Sequence, residues 1–276
     1  MKLIYLLACS LLLLTGTSHA QFIWNDAAGD SSYSDPGNWV GNTAPPATGA
    51  DIVIGTMQNG DNIVGIDTAG NVTVNSWTFA ATLNGLSTPV QVLNDGSGQQ
   101  LTITSAGGIT NSSNLQNEFD VVVNAGANTT FNGGTAGLNF QNALDISHFN
   151  VTTTGTVTIA PGQDLIFDIN NTSTYGKVGS VITTGVIIQV VGNSYTAHAG
   201  DTFDLTSASF TGAILGTLPT LSAGLVWDTS GLFSSGVLTV DAVPEPSTYA
   251  LLLGGLVLLA LHKRRSISFG VWKLRK

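Results

Sequence analysis

Residues 165–169, with the sequence LIFDI, place Leu165, Phe167 and Ile169 on one side of an extended chain and Ile166 and Asp168 on the other. Such alternation is typical of a β-strand with one buried face. Similar short runs rich in Val, Ile and Thr recur at 51–54, 71–74, 101–104, 121–123, 156–159 and 186–191. Because no window keeps a helical period, the sequence predicts an all-β body with almost no helix.

Clusters of Gly, Asn, Asp and Pro separate these runs, at 94–96, 106–108, 133–134 and 161–162, and they predict turns. Strands spaced about ten residues apart fit either a β-solenoid or a β-sandwich. Thr, Val and Asn side chains can form ladders in a solenoid, but composition alone does not choose between the two folds. No exact sequence repeat is present, so a β-sandwich or jelly roll stays the alternative.

The charge distribution excludes several classes of function. Seventeen acidic residues and one basic residue, Lys177, lie between residues 21 and 248. Nucleic-acid binding requires many Lys or Arg contacts to phosphates, so nucleic acid is not an expected partner. The single cysteine, Cys9, precedes the body, which therefore has no disulfide.

The N-terminus is typical of a secretory signal peptide covering residues 1–20. Lys2 precedes an apolar stretch at 3–14, and small residues lead to a cleavage site for signal peptidase between Ala20 and Gln21. The alternative is a lipoprotein signal that would be acylated at Cys9.

The C-terminus carries the most specific pattern in the chain. The motif comprises Val243, Pro244, Glu245 and Pro246. An apolar stretch at 249–261 and a basic cluster of Lys263, Arg264 and Arg265 follow it. The two prolines predict an extended, accessible segment. The stretch predicts a short transmembrane helix of about 20 Å, below the ~30 Å of a bilayer core, which suits a transient inner-membrane anchor. The basic cluster places residues 266–276 in the cytoplasm as a basic tail.

This order of motif, short apolar helix and basic cluster resembles the PEP-CTERM sorting signal of Gram-negative bacteria. The resemblance covers residues 242–265 and implies cleavage near Pro244, Glu245 and Pro246 by an exosortase. It also implies release or transfer to the cell surface or extracellular matrix. An ordinary single-pass anchor after a proline-rich linker is the alternative.

In two stretches the body, residues 21–241, resembles the β-helical passenger domains of autotransporters, and this resemblance implies a right-handed β-solenoid (β-helix). The first contains Trp24 and Trp39 and runs to the strand at 51–54, and the second contains Trp227 and ends at 236–240. Large aromatic residues near the ends of a stacked array can cover its apolar surface, so these tryptophans are interpreted as caps. The alternative is that they stack against sugars.

Catalytic constellations are not evident in the sequence. His148 and His198 lack recognisable partners, and the pair Asp164 and Asp168 would lie about 13 Å apart on a strand, beyond the ~5–9.5 Å that glycoside hydrolysis needs. A second carboxylate pair, Asp201 and Asp204, is predicted to serve in turns. We expect that the protein is not an enzyme and has no cofactor. Weak Ca²⁺ binding at turns such as 59–62 stays an alternative.

These observations lead to one functional hypothesis and one alternative. The hypothesis is an exported surface or matrix protein with a structural or adhesive role in exopolysaccharide or biofilm. The alternative is a secreted glycan-binding module or polysaccharide-active enzyme on the same scaffold.

Overall fold

The computed structural model describes residues 20–55, 57–58, 60–83, 86–192, 194–243 and 246–270. Most of the predicted signal peptide, Pro244 and Glu245 of the motif, Asn59 of the proposed Ca²⁺ turn, and residues 271–276 of the tail lie outside these ranges.

The described residues form twenty-one short strands and two α-helices, together with a 3-10 helix at Pro36–Asn38. The strands are β1 (Gln21–Trp24), β2 (Thr48–Ile54), β3 (Ile63–Ile66), β4 (Val72–Phe79), β5 (Gln91–Asn94), β6 (Gln100–Asn111), β7 (Asn117–Asp120), β8 (Val122–Ala125), β9 (Thr129–Asn132), β10 (Leu138–Phe140), β11 (Leu144–Ser147), β12 (Asn150–Thr154), β13 (Val157–Ile159), β14 (Asp164–Asn171), β15 (Thr174–Tyr175), β16 (Lys177–Val178), β17 (Ile187–Val191), β18 (Thr202–Asp204), β19 (Ile214–Leu215), β20 (Leu225–Asp228) and β21 (Val237–Ala242). The helices are α1 (Leu232–Ser235) and α2 (Pro246–Gly270).

Parallel stacking of successive turns builds a β-solenoid of about 7 turns, which confirms the predicted fold class. The longest face runs in the order β1-β2-β4-β6-β8-β11-β14-β17-β19, and a second sheet runs β13-β10-β7-β5-β3. Val123, Leu144 and Leu165 occupy equivalent positions on three successive turns and are evenly spaced along the chain. Gln21 and Asp51, which are also register partners, enclose a longer turn. This variation in turn length explains why the sequence shows no exact repeat.

The interior of the solenoid is lined by one face of each strand. On β14 the residues Leu165, Phe167 and Ile169 are fully buried, as the alternation predicts. Buried side chains of neighbouring turns stack on one another; Phe119 and Phe140, for example, have ring centroids 5.4 Å apart and nearly parallel planes. The apolar surface of one turn is therefore covered by the next, and stacking of the turns is driven by hydrophobic burial.

The predicted turn at 106–108 is wrong, because these residues lie within β6. The first part of β6 pairs with β8 and its end pairs with β9, so the strand continues around a corner of the solenoid. Gly108, with a φ of 59°, lies at this corner, and a Cβ there would be 1.8 Å from the Thr130 carbonyl oxygen. The Gly residues that predicted a turn here instead allow a paired strand to bend.

The two ends of the solenoid are closed differently. At the N-terminal end, Trp24, Tyr33 and Trp39 form a buried aromatic cluster over the first turn. At the C-terminal end, β18, β21 and β20 form an antiparallel sheet. Trp227 lies in that sheet and packs against buried Phe203. These positions agree with the interpretation of the tryptophans as caps.

The C-terminal helix α2 contains the whole predicted apolar stretch and extends beyond it on both sides. Pro246, which we expected in an extended segment, is its first residue, a position where the missing N–H of proline costs nothing. Among the described residues, no helix is both long enough and apolar enough to cross a membrane.

Candidate functional site

The predicted processing motif lies at the junction between the β-rich body and α2. Strand β21 ends at Ala242, and the backbone N–H of Val243 still donates a hydrogen bond of 2.8 Å to the Gly224 carbonyl oxygen. Helix α2 begins at Pro246, just beyond the two motif residues that lie outside the described ranges. The motif therefore spans a boundary between two folded elements, where a processing enzyme would separate them.

Helix α2 exposes its apolar side chains to solvent. All residues at 250–263 are exposed, including Leu251 at 81% and Leu258 at 69%. Lys263 is also exposed, and Arg264 and Arg265 continue the helix. Apolar residues occupy consecutive positions at 251–253 and 256–261, so every side of the helix is apolar.

Comparison with known proteins supports the sorting segment. The model of the PEP-CTERM protein-sorting motif matches residues 242–266. No curated protein and no solved structure gave a significant match to the chain.

The fold and this motif define the class of protein: a β-solenoid followed by a C-terminal sorting segment. More specifically, the motif indicates an exported, cell-surface-directed protein that is processed by an exosortase.

The three tryptophans that were considered for sugar stacking differ in how exposed their rings are. Trp24 and Trp39 are 0% and 1% exposed, and the Trp39 Nε1–H donates to the Tyr33 carbonyl oxygen at 2.8 Å. Neither ring has a face that a ligand can reach, so the stacking interpretation is wrong for both. Trp227 is half-buried, and its Nε1–H donates to the Pro219 carbonyl oxygen at 2.8 Å.

The nominated carboxylates lie in different surroundings. Asp164 and Asp168 both lie on β14, and Asp164 accepts a hydrogen bond of 3.1 Å from Gln189. Asp204 forms an ion pair with Lys177. Asp201 instead accepts hydrogen bonds of 2.8 Å from the Tyr195 hydroxyl and the His198 backbone N–H.

The histidines have different surroundings. The His148 ring packs against Phe149 with centroids 4.3 Å apart. The His198 side chain is 76% exposed, and its Nδ1 lies 3.7 Å from Asp201 Oδ2. Burial raises the pKa of Asp201, but the hydrogen bonds from His198 and Tyr195 outweigh it and hold this pKa below its usual value. Asp201 is therefore ionised at neutral pH.

A polar cavity surrounds this carboxylate, and sequence reasoning missed it. Its volume is about 290 Å³, and its lining includes Asn170, Asn171, Thr172, Tyr195, His198 and Asp201. The cavity lies between the hairpin of β14 and β15 and the connection from β17 to β18. The residues come from separate parts of the chain, so only the nominated pair Asp201 and Asp204 pointed to this region.

A second acidic group lies beneath the N-terminal cap. Asp26 is fully buried, and desolvation raises its pKa to about 6, with a further contribution from the nearby Asp61 carboxylate. Asp61, in the turn considered for Ca²⁺, accepts a hydrogen bond from the Ser31 hydroxyl. The described part of the chain contains no group of three or more His, Cys, Asp or Glu side chains placed to hold a metal ion.

Proposed function

We propose that the β-solenoid is the mature, exported part of a surface protein that has a structural or adhesive role in the extracellular polysaccharide matrix of a Gram-negative bacterium. The observation that carries the proposal is the PEP-CTERM match at 242–266, which begins where the last strand of the body ends. Cleavage at this junction would remove α2 and leave the solenoid and its antiparallel sheet whole.

The apolar surface of α2 supports a role as a temporary anchor. Its exposed leucines and the basic cluster that follows them would hold the body on the periplasmic side of the inner membrane while the exosortase acts. The signal peptide, removed between Ala20 and Gln21 by signal peptidase, would deliver the chain to that side.

The composition of the body supports a structural role over a catalytic one. Its one basic residue, Lys177, is held by Asp204. Three of the nominated carboxylates, Asp164, Asp201 and Asp204, are engaged by Gln189, Tyr195 and Lys177, which supports a structural role for them. We propose that the protein acts without a cofactor and is not an enzyme; a calcium titration followed by thermal melting tests weak Ca²⁺ binding.

A glycan-binding module on the same scaffold is the second candidate. The polar cavity around Asp201 supports it as a place where a sugar could bind. Incubation of the purified protein with polysaccharides separates these functions: release of reducing ends indicates an enzyme, saturable retention indicates a binder, and neither result favours the structural role.

Mass spectrometry of the exported protein tests the sorting proposal. In cells with exosortase we expect a chain that starts at Gln21, ends near Pro246 and is found at the surface or in the matrix. In cells that lack exosortase we expect the intact C-terminus in the inner-membrane fraction. A cytosolic chain with its leader intact, or identical C-termini in both strains, would overturn the proposal.

A further inference from the structure

The cavity around Asp201 combines an aromatic wall with fixed polar groups. The Tyr195 ring packs edge to face on Phe203, with centroids 5.3 Å apart, and lies 6.0 Å from Trp227. Phe203 is fully buried, so this aromatic group is anchored in the antiparallel sheet that closes the solenoid. The position of Tyr195 is therefore set before any ligand arrives.

The carboxylate of Asp201 is held in place by the same residue. Both its hydrogen bonds, from the Tyr195 hydroxyl and the His198 backbone N–H, end on Oδ2. Oδ1 keeps acceptor capacity for a ligand hydroxyl, and a hydrogen bond to an ionised acceptor is stronger than one between neutral groups.

The opposite wall supplies amide and hydroxyl groups from the hairpin of β14 and β15. Asn170 and Asn171 each carry both a donor and an acceptor, and Thr172 adds a hydroxyl. The side chain of Asn170 makes no hydrogen bond to the residues that the structure describes. Replacement of Asn170 by alanine therefore breaks no hydrogen bond among the described residues, and we expect the variant to fold.

These groups define the chemistry of the ligand. A molecule with many hydroxyls on its edges and a C–H face to lie on an aromatic ring matches a wall of amides and a carboxylate beside Tyr195. Lys177, the only Lys or Arg in the body, is paired with Asp204, so an acidic sugar would meet Asp201 without a compensating lysine or arginine. A volume of about 290 Å³ is at the small end of ligand pockets and fits one or two sugar units.

We infer that this cavity binds one or two units of a neutral oligosaccharide, with Asp201 and Asn170 hydrogen-bonded to its hydroxyls and Tyr195 beside its C–H face. The inference rests on the proposed function in one respect, because the cavity would be the site through which an adhesive protein binds the matrix polysaccharide.

Calorimetric titration of the full chain in detergent tests the inference with four probes: cellohexaose, maltohexaose, mannohexaose and the acidic trigalacturonate. We expect saturable binding of at least one neutral hexasaccharide and weaker or no binding of trigalacturonate. Asp201→Asn, which keeps an acceptor but removes the charge, and Asn170→Ala should each weaken binding about tenfold. Asp120→Asn, on an exposed carboxylate of β7, is the matched control and should leave the affinity unchanged.

Thermal melting of each variant identifies any loss of fold, and Asn170→Ala keeps the test valid if Asp201→Asn proves unstable. The inference is overturned if no neutral probe binds, if trigalacturonate binds more tightly, or if Asn170→Ala folds and binds normally. In the last case the protein still binds the sugar, and only the assignment of binding to this cavity is wrong. Failure of C-terminal processing would overturn the sorting proposal and leave the binding result unaffected.

Discussion

The indole rings of Trp24 and Trp39 meet edge to face, with centroids 5.1 Å apart and planes at 84°. The same two residues are bridged through their backbones in an antiparallel sense. Residues 25–38 thus leave the first strand and return to it, so that the second tryptophan covers the first. Tyr33 joins the cluster, with its ring centroid 5.0 Å from that of Trp39. The cap is built from the chain that follows β1.

Removing the covering ring should destabilise the solenoid. Trp39→Ala leaves a cavity between Trp24 and Tyr33, and we expect the free energy of unfolding to fall by about 3–5 kcal/mol in chemical denaturation. The neighbouring Val40 is 58% exposed, so Val40→Ala is the control and should change stability by no more than about 0.5 kcal/mol. Equal stabilities for the two variants would show that the cluster is not a cap.

Close approach between turns should make Gly133 intolerant of a side chain. A Cβ at Gly133 would lie 2.0 Å from the Thr156 carbonyl oxygen, whereas at Gly162, with a φ of 81°, nothing lies within 4 Å. We expect Gly133→Ala to cost about 3 kcal/mol through overpacking, and Gly162→Ala to cost about 1 kcal/mol through backbone strain alone. Thermal melting of both variants checks the order, and a reversed order would contradict the contact between turns.

The buried carboxyl of Asp26 should make the stability depend on pH. Its folded pKa of about 6 is above the unfolded value of 3.8, so the folded state holds this proton more tightly. The stabilising contribution is complete below pH ~4 and is lost as the pH rises through about 6.

Asp26→Asn cannot ionise and should therefore be more stable than wild type at pH 8, by about 1–3 kcal/mol, with little difference near pH 4. Melting curves at the two pH values measure this. Asp120→Asn, at an exposed carboxylate, should show no such pH-dependent gain. A constant difference for Asp26→Asn at both pH values would rule out titration as its cause.

Processing should depend on the motif rather than on acidity near the junction. Glu245→Ala should leave the C-terminal segment attached and retain the protein in the membrane fraction. Asp241→Ala, upstream of the motif at an exposed position of β21, should be processed as wild type. Intact-mass measurement distinguishes the two variants. Cleavage of both would show that recognition does not require Glu245.

The strands could be predicted because local alternation is visible in the sequence. All seven of the runs named from the sequence lie in or overlap strands of the structure, and Leu165, Phe167 and Ile169 are buried together. The sorting segment could be predicted for a similar reason, since its proline, apolar and basic parts are contiguous.

Other features depend on contacts between distant residues and could not be predicted in this way. Asn111 is buried and donates hydrogen bonds to the carbonyl oxygens of Leu115 and Gly137, the latter on the next turn of the solenoid. The Asp201 cavity likewise joins the hairpin of β14 and β15 to the chain that precedes β18. An isolated Asn or Asp in a turn-rich sequence gives no sign of such partners.

The sequence by itself determined the β character of the body, the alternation of its strands and the presence of a sorting segment, because each depends on neighbouring residues. The tertiary structure alone decided that the strands stack in parallel with turns of unequal length, that 106–108 bend a strand instead of ending it, and that Asp201 lines a cavity. The reason is physical. The free energy gained when one turn covers the next depends on how well the side chains of the two turns fit together, and a local sequence pattern does not determine that fit.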